Sequence, residues 1–127
     1  MVTRCEGTVE SGYEGDSVRI LVTGGRDFTN WFAVVHALAQ MPKDATLVHG
    51  AARGADSLAA SYWGDNLERP VEAHPADWAK HGKAAGPIRN QEMLDSGVDI
   101  LIAFPGGRGT ADMTRRALAA GVKVIQI

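Results

Sequence analysis

The sequence contains one cysteine, Cys5, among its 127 residues. No intramolecular disulfide is possible, which fits a reducing compartment. No apolar stretch approaches the ~20 residues of a bilayer-spanning helix, so no membrane association is expected. The N-terminal stretch carries Arg4, Glu6, Glu10 and Glu14 where a secretory signal would be apolar, and the expected location is the cytoplasm. Positive charge is not in excess: 13 Lys and Arg face 15 Asp and Glu, for a net charge of -2. Proteins that grip nucleic acid through its phosphates usually carry a basic surplus, so the balance argues against nucleic acid as a partner. His36, His49, His74 and His81 form no His-x-x-x-His pair and Cys5 is remote, so no metal site is expected. There is no Gly-x-x-x-x-Gly-Lys-Ser/Thr string, and Ser57 and Ser61 lie outside any nucleophile-elbow pattern. No cofactor is implied.

What is present is an ordinary globular composition, 45% hydrophobic and 22% charged, enough for one domain. Residues 1–16 mix glycine with acids without a sustained period and read as a flexible tail. Residues 17–127 form the domain. In it, Val18–Thr23, Thr46–His49, Val71–His74, Asp99–Phe104 and Val122–Ile127 are short apolar runs, four of them closed by glycine or proline. Such runs predict strands buried on both faces, as in parallel sheets. Helical patterns alternate with them. Trp31–Met41 places Phe32, Val35, Leu38 and Ala39 on one stripe, capped by Thr29 or Asn30; Ala55–Leu67 groups Leu58, Ala59, Tyr62 and Trp63. Ile88–Leu94 offers Ile88, Gln91, Met93 and Leu94, and Thr110–Ala120 offers Met113, Ala117 and Leu118 before Gly121. The alternation predicts an α/β, Rossmann-like three-layer domain with a parallel sheet of about five strands in the order 3-2-1-4-5.

The glycines and arginines then single out one edge of that sheet. Strands end in Gly24-Gly25-Arg26-Asp27, in Gly50-Ala-Ala-Arg53-Gly54-Ala55-Asp56, and in Pro105-Gly106-Gly107-Arg108-Gly109-Thr110. Glycine turns let backbone N–H groups approach an anion, and a following helix N-terminus adds favourable partial charge. The order 3-2-1-4-5 puts the first and third of these loops side by side at the point where the strand order reverses. Arg26, Arg53, Lys80, Lys83, Arg89 and Arg108 lie in or beside the segments following strands, which predicts a basic pocket on a slightly acidic protein. Asp56 suits helix capping or a ribose hydroxyl. Trp78 suits base stacking or covering the core edge, and His49 and His74 suit ligand contact or structural roles.

These segments resemble the SLOG superfamily. The Pro-Gly-Gly-Arg-Gly-Thr loop, the preceding Arg89-Asn90-Gln91-Glu92-Met93 and the Gly50…Arg53-Gly54-Ala55-Asp56 segment carry the likeness. The Thr-Gly-Gly-Arg-Asp-Phe, His-Pro-Ala-Asp-Trp and Gly-Pro-Ile-Arg-Asn stretches are similar to those of its small single-domain YspA- and YpsA-related branch. The likeness spans Ile20–Ile127, and more distant relatives are the Lonely Guy phosphoribohydrolases and DNA-processing protein A. The resemblance implies a nucleotide or nucleotide derivative as ligand, with Gly106, Gly107, Gly109 and Thr110 as the phosphate cradle and Arg89 as the arginine that assists N-glycosidic cleavage. Where the phosphoribohydrolases carry a catalytic glutamate, this chain has Met113, which cannot accept a proton. Asp112 is one residue away, about 100° around the helix.

The ligand-binding set expected from sequence is therefore Gly24, Gly25, Arg26, Gly50, Arg53, Gly54, Asp56, Arg89, Asn90, Pro105, Gly106, Gly107, Arg108, Gly109 and Thr110, with Arg89 and Asp112 as candidate catalytic residues. The leading reading is a binding or sensing module for a nucleotide-like small molecule. The alternatives are a nucleoside-monophosphate phosphoribohydrolase and, third, a nucleic-acid-binding protein. A homodimer or higher homo-oligomer is expected from the large apolar residues Tyr62, Trp63, Met93 and Leu94 and from the resemblance.

Overall fold

A computed structural model describes residues 18–127. The expectation of a flexible tail over residues 1–16 lies outside the described residues. The strands are β1 (Arg19–Thr23), β2 (Thr46–His49), β3 (Val71–Ala73), β4 (Ile100–Ala103) and β5 (Lys123–Gln126). They form one parallel sheet in the order β3-β2-β1-β4-β5. The helices are α1 (Trp31–Leu38), α2 (Ala55–Ala60), α3 (Trp78–His81), α4 (Ala85–Asp95) and α5 (Arg108–Ala119). A π-helical segment, Ser61–Asn66, prolongs α2, and a 3-10 turn, Gly82–Ala84, links α3 to α4.

Strand side chains alternate, and the sheet therefore has two cores. Ile20 and Val22 of β1 pack with Val34 and Leu38 of α1 and Ala55, Ala59 and Trp63 of α2 and its extension. Leu21, between them in sequence, faces the opposite way and packs with Val48, Leu101, Met93 of α4 and Met113 and Ala117 of α5. This makes three layers, with α1 and α2 on one face and α4 and α5 on the other. Trp63 meets its polar obligation inside the core, where its indole N–H donates to the Ala45 carbonyl at 3.2 Å.

Several local expectations are corrected. The buried stripe of α1 is Val34, Ala37 and Leu38, and Phe32 is 82% exposed. Residues 32–35 are apolar without interruption, so spacing alone does not fix which face turns inward; packing on β1 does. Of the two expected caps it is Asn30 that forms, its side chain accepting from the Ala33 N–H at 3.1 Å. Leu118 of α5 is exposed, because Met113 and Ala117 fill the inward face. Helix α4 begins at Ala85, three residues before the expected start at Ile88, with Gly86 and Pro87 in its first turn. Proline is tolerated in a first turn, where its missing N–H would have no intrahelical acceptor anyway. Trp63 and Met93 are buried within the monomer, so they provide no surplus apolar surface for self-association.

Candidate functional site

The three glycine loops meet at the carboxyl edge of β1. Parallel β1 and β4 end level, with Thr23 opposite Ala103. Beyond them the Gly25 N–H donates to the Pro105 carbonyl at 2.8 Å, joining the first loop to the third. The Gly25 carbonyl accepts from the Ala55 N–H at 3.2 Å, joining the first loop to the second. This contact requires glycine at position 54: its φ is +81°, and a Cβ there would fall within 2.6 Å of the Arg26 backbone. A Cβ at Gly106 would similarly stand 2.6 Å from the Gly25 nitrogen.

Gly107 and Gly109 are different. Neither has a positive φ, and a Cβ on either would meet nothing within 4 Å. Both line a cleft of about 780 Å³ together with Gly24, Gly25, Arg26, Asp56, Arg89, Asn90, Arg108, Thr110 and Asp112. Gly107 precedes α5 and no side chain caps that helix. The Ala111 N–H bonds back to the Gly107 carbonyl at 3.0 Å, so the N–H groups of Arg108, Gly109 and Thr110 lie ahead of it, in the turn that has no intrahelical acceptors. Gly109 lies within the helix, where glycine costs roughly 1 kcal/mol against alanine, whereas Gly107 is the N-cap, a position that accepts glycine. The fold gains no packing from either glycine, but the cleft gains room beside those amides.

Charge at the cleft is organised by α4 and α5. Arg89 donates to the carbonyl of Gly50, and at 3.4 Å to that of His74, spanning the ends of β2 and β3. Burial lowers the pKa of its guanidinium, while nearby Asp56 acts in the opposite direction. The Arg89 Nε also donates to Asn90 Oδ1 at 3.1 Å, and Asn90 Nδ2 donates to Asp112 Oδ2 at 3.0 Å. Asp112 also accepts from Arg115 at 2.5 Å and Arg116 at 2.9 Å. Burial pushes its carboxyl up, but these hydrogen bonds outweigh it and the pKa is lowered. Asp112 is therefore a fixed carboxylate.

Asp56 has the opposite character. It is 5% exposed, and its Oδ2 accepts from the Gly50 and Ala52 N–H groups at 2.9 and 3.3 Å. Burial pushes its pKa up to about 6, against the lowering effect of those bonds and of Arg89. Ala51, between the two donors, sits in the left-handed region at φ 59°, an uncommon backbone for alanine that aims both amides at one oxygen. Its own N–H donates to His49 Nδ1 at 3.0 Å, so the proton of a neutral His49 ring is on Nε2. Burial lowers the His49 pKa.

The residues expected from sequence thus divide. Gly50 and Arg53 line a second, smaller cleft of about 410 Å³, which shares Arg26, Ala52, Trp78 and Arg89 with the first. Arg53 itself pairs with Asp27 at 3.3 Å on the exposed surface, a contact worth little. Gly54 packs loops together, and Pro105 and Gly106 line an adjoining cavity toward β5 that shares Gly107, Thr110, Ala111 and Arg115 with the main cleft. Lys80 lies at none of these clefts, and Lys83 lines the main one. Arg115, absent from the sequence-based set, also lines it; Arg108, Asp112 and Arg115 recur at i, i+4 and i+7, a signal the α5 pattern held. Met113 is fully buried in the second core. The helix presents Asp112 to the cleft instead, with no rotation needed. Among the described residues, no three His, Cys, Asp or Glu side chains gather as a metal site, and no helix is long and apolar enough to cross a membrane.

Residues 18–81, which hold β1 through α3, match the family described as the YspA, cpYpsA-related SLOG family. The chain belongs to that family. This SLOG protein is also similar to the Gene 61 protein of Mycobacterium phage D29, 43% identical over 117 residues, covering 84% of this chain and 94% of that one. The matched family region contains the first two glycine loops, Asp56 and Trp78. The third loop and α5 lie beyond it, connecting β4 to β5 of the same sheet.

Proposed function

We propose that this SLOG domain binds a nucleotide or nucleotide-derived phosphate in the larger cleft, as a binding or sensing module. One observation carries the reading. Gly107 and Gly109 have no packing neighbour for a Cβ, and both open onto the cleft beside the uncapped N-terminus of a 12-residue helix. A phosphate group fits that combination of close backbone approach, N–H donors and helix partial charge. Arg26, Arg89, Arg108 and Lys83 around the cleft favour an anion. Mass spectrometry of small molecules released from the denatured protein tests the reading directly, with calorimetric titration of nucleoside mono- and diphosphates beside it. The expected outcome is a phosphate-bearing nucleotide derivative in the first and saturable binding in the second. Release of no such molecule together with no binding at millimolar ligand overturns it.

A second reading, hydrolysis of the N-glycosidic bond of a nucleoside monophosphate, has its own observation in the pair Asp56 and Asp112. Both line the cleft, and their environments push their pKa values in opposite directions. Such a pair can divide general-acid and electrostatic roles in glycosidic cleavage. Under the leading reading, ribose 5-phosphate is not released from nucleoside monophosphates. Turnover that disappears in Asp112→Asn, in a variant that still binds, would establish the enzyme instead.

A further inference from the structure

We infer that Trp78 is the stacking platform for the heterocyclic base of the ligand, and that Arg26 occupies its ring face until a base displaces it. The inference rests on the proposed phosphate site and adds to it a requirement for an aromatic ring in the ligand.

Trp78 is 48% exposed and belongs to neither core cluster. It opens the short helix α3, whose cap Asp77 accepts from the Lys80 N–H at 3.1 Å, so the ring is carried by an ordered turn. Its far edge lies over the first turn of α4 at Gly86, where a Cβ would come 3.4 Å from Trp78 Cη2. The ring borders both clefts, and so does Arg26. The Arg26 guanidinium stands 5.5 Å from the ring centroid, a cation–π arrangement.

That spacing decides how a base would enter. A base sandwiched between guanidinium and ring needs two contacts of about 3.5 Å, or about 7 Å in all. The 5.5 Å separation does not admit one. A base that stacks on the face Arg26 covers therefore takes the place of Arg26. The released guanidinium is one residue from Gly25, which is bonded to Pro105 in the phosphate-side loop. Released from the ring, it still borders the cleft that takes the phosphate. Tryptophan stacks on any base, so the platform selects nucleotides over sugar phosphates without selecting strongly among bases.

Calorimetric titration of wild type, Trp78→Ala and Trp78→Phe with inorganic phosphate, ribose 5-phosphate, AMP and CMP tests the assignment. AMP and CMP should each bind wild type more tightly than ribose 5-phosphate, by about tenfold or more. Trp78→Ala should bring both down to the ribose 5-phosphate level and leave ribose 5-phosphate within about twofold of wild type, whereas Trp78→Phe should keep most of the preference. AMP should also quench indole emission in wild type and not in Trp78→Phe, which retains Trp31 and Trp63. Equal wild-type affinity for AMP and ribose 5-phosphate, or an equal loss of both in Trp78→Ala, overturns the platform and leaves the phosphate site standing. If phosphate, sugar phosphate and nucleotides all fail to bind, the phosphate site falls and the platform with it.

Discussion

The Gly25 N–H meets the Pro105 carbonyl at 2.8 Å, and this bond holds the loops after two neighbouring strands, β1 and β4, as one surface. The loops are almost eighty residues apart in sequence. Their junction leaves no space at Gly106 and ample space at Gly107, which makes adjacent glycines respond differently to the same substitution.

Gly106→Ala sets a methyl on Thr110 Oγ1 and the Gly25 nitrogen, so it should destabilise the fold by about 2 kcal/mol or more, within the usual overpacking range. Gly107→Ala meets no atom within 4 Å and should leave thermal stability within about 1 kcal/mol of wild type, while weakening phosphate binding at least about tenfold. Melting curves and titration of both variants check the contrast.

Met113→Glu restores the residue type of the phosphoribohydrolases in name only. The side chain at 113 is packed with Leu21, Leu101 and Met93, and a carboxylate there has no partner. The variant should lose several kcal/mol of stability or bind a proton on folding, and it should not gain hydrolysis. Met113→Leu should cost less than about 1.5 kcal/mol. Denaturant titration at pH 5 and pH 8 separates these outcomes.

Two carboxyls give stability opposite dependences on pH. Asp56 has its folded pKa raised to about 6 from 3.8, so the folded chain holds the extra proton between these values. Its contribution falls as pH rises through that window, by on the order of 2–3 kcal/mol. Glu72 bonds Arg19 at 2.7 Å and His74 at 2.6 Å, and Arg19 first, then His74, lowers its pKa from 4.5 to about 2. Its contribution is present above about pH 4.5 and is lost as pH falls toward 2. Unfolding free energy against pH should therefore lose its decline between pH 4 and 6 in Asp56→Asn, and should fall less below pH 4.5 in Glu72→Gln than in wild type.

Arg89 clamps the ends of β2 and β3 through the carbonyls of Gly50 and His74. Lysine keeps the charge but not the fork that reaches both carbonyls and Asn90 together. Arg89→Lys should lose about 1–3 kcal/mol of stability and weaken nucleotide binding. Titration combined with melting curves measures both; a variant with unchanged affinity would remove Arg89 from the site.

Sequence alone determined the layers of this protein. Short β-branched runs alternating with helical periods specify βαβ units, and right-handed crossovers leave few sheet orders, of which β3-β2-β1-β4-β5 is the one formed. The glycine loops were legible for the same reason, since each follows a strand. What the tertiary structure decided is which way side chains turn. Phe32 and Leu118 look like core residues by spacing and are exposed, because apolar neighbours on α1 and α5 leave several rotations open until a helix docks on the sheet. Asp112, not position 113, faces the cleft, and Arg115 joins it, because α5 docks with Met113 and Ala117 inward. The division among glycines follows the same logic. Gly54 and Gly106 are required by neighbours far away in the chain, whereas Gly107 and Gly109 have no such neighbours, and only the assembled sheet edge brings those distant atoms close enough to tell them apart.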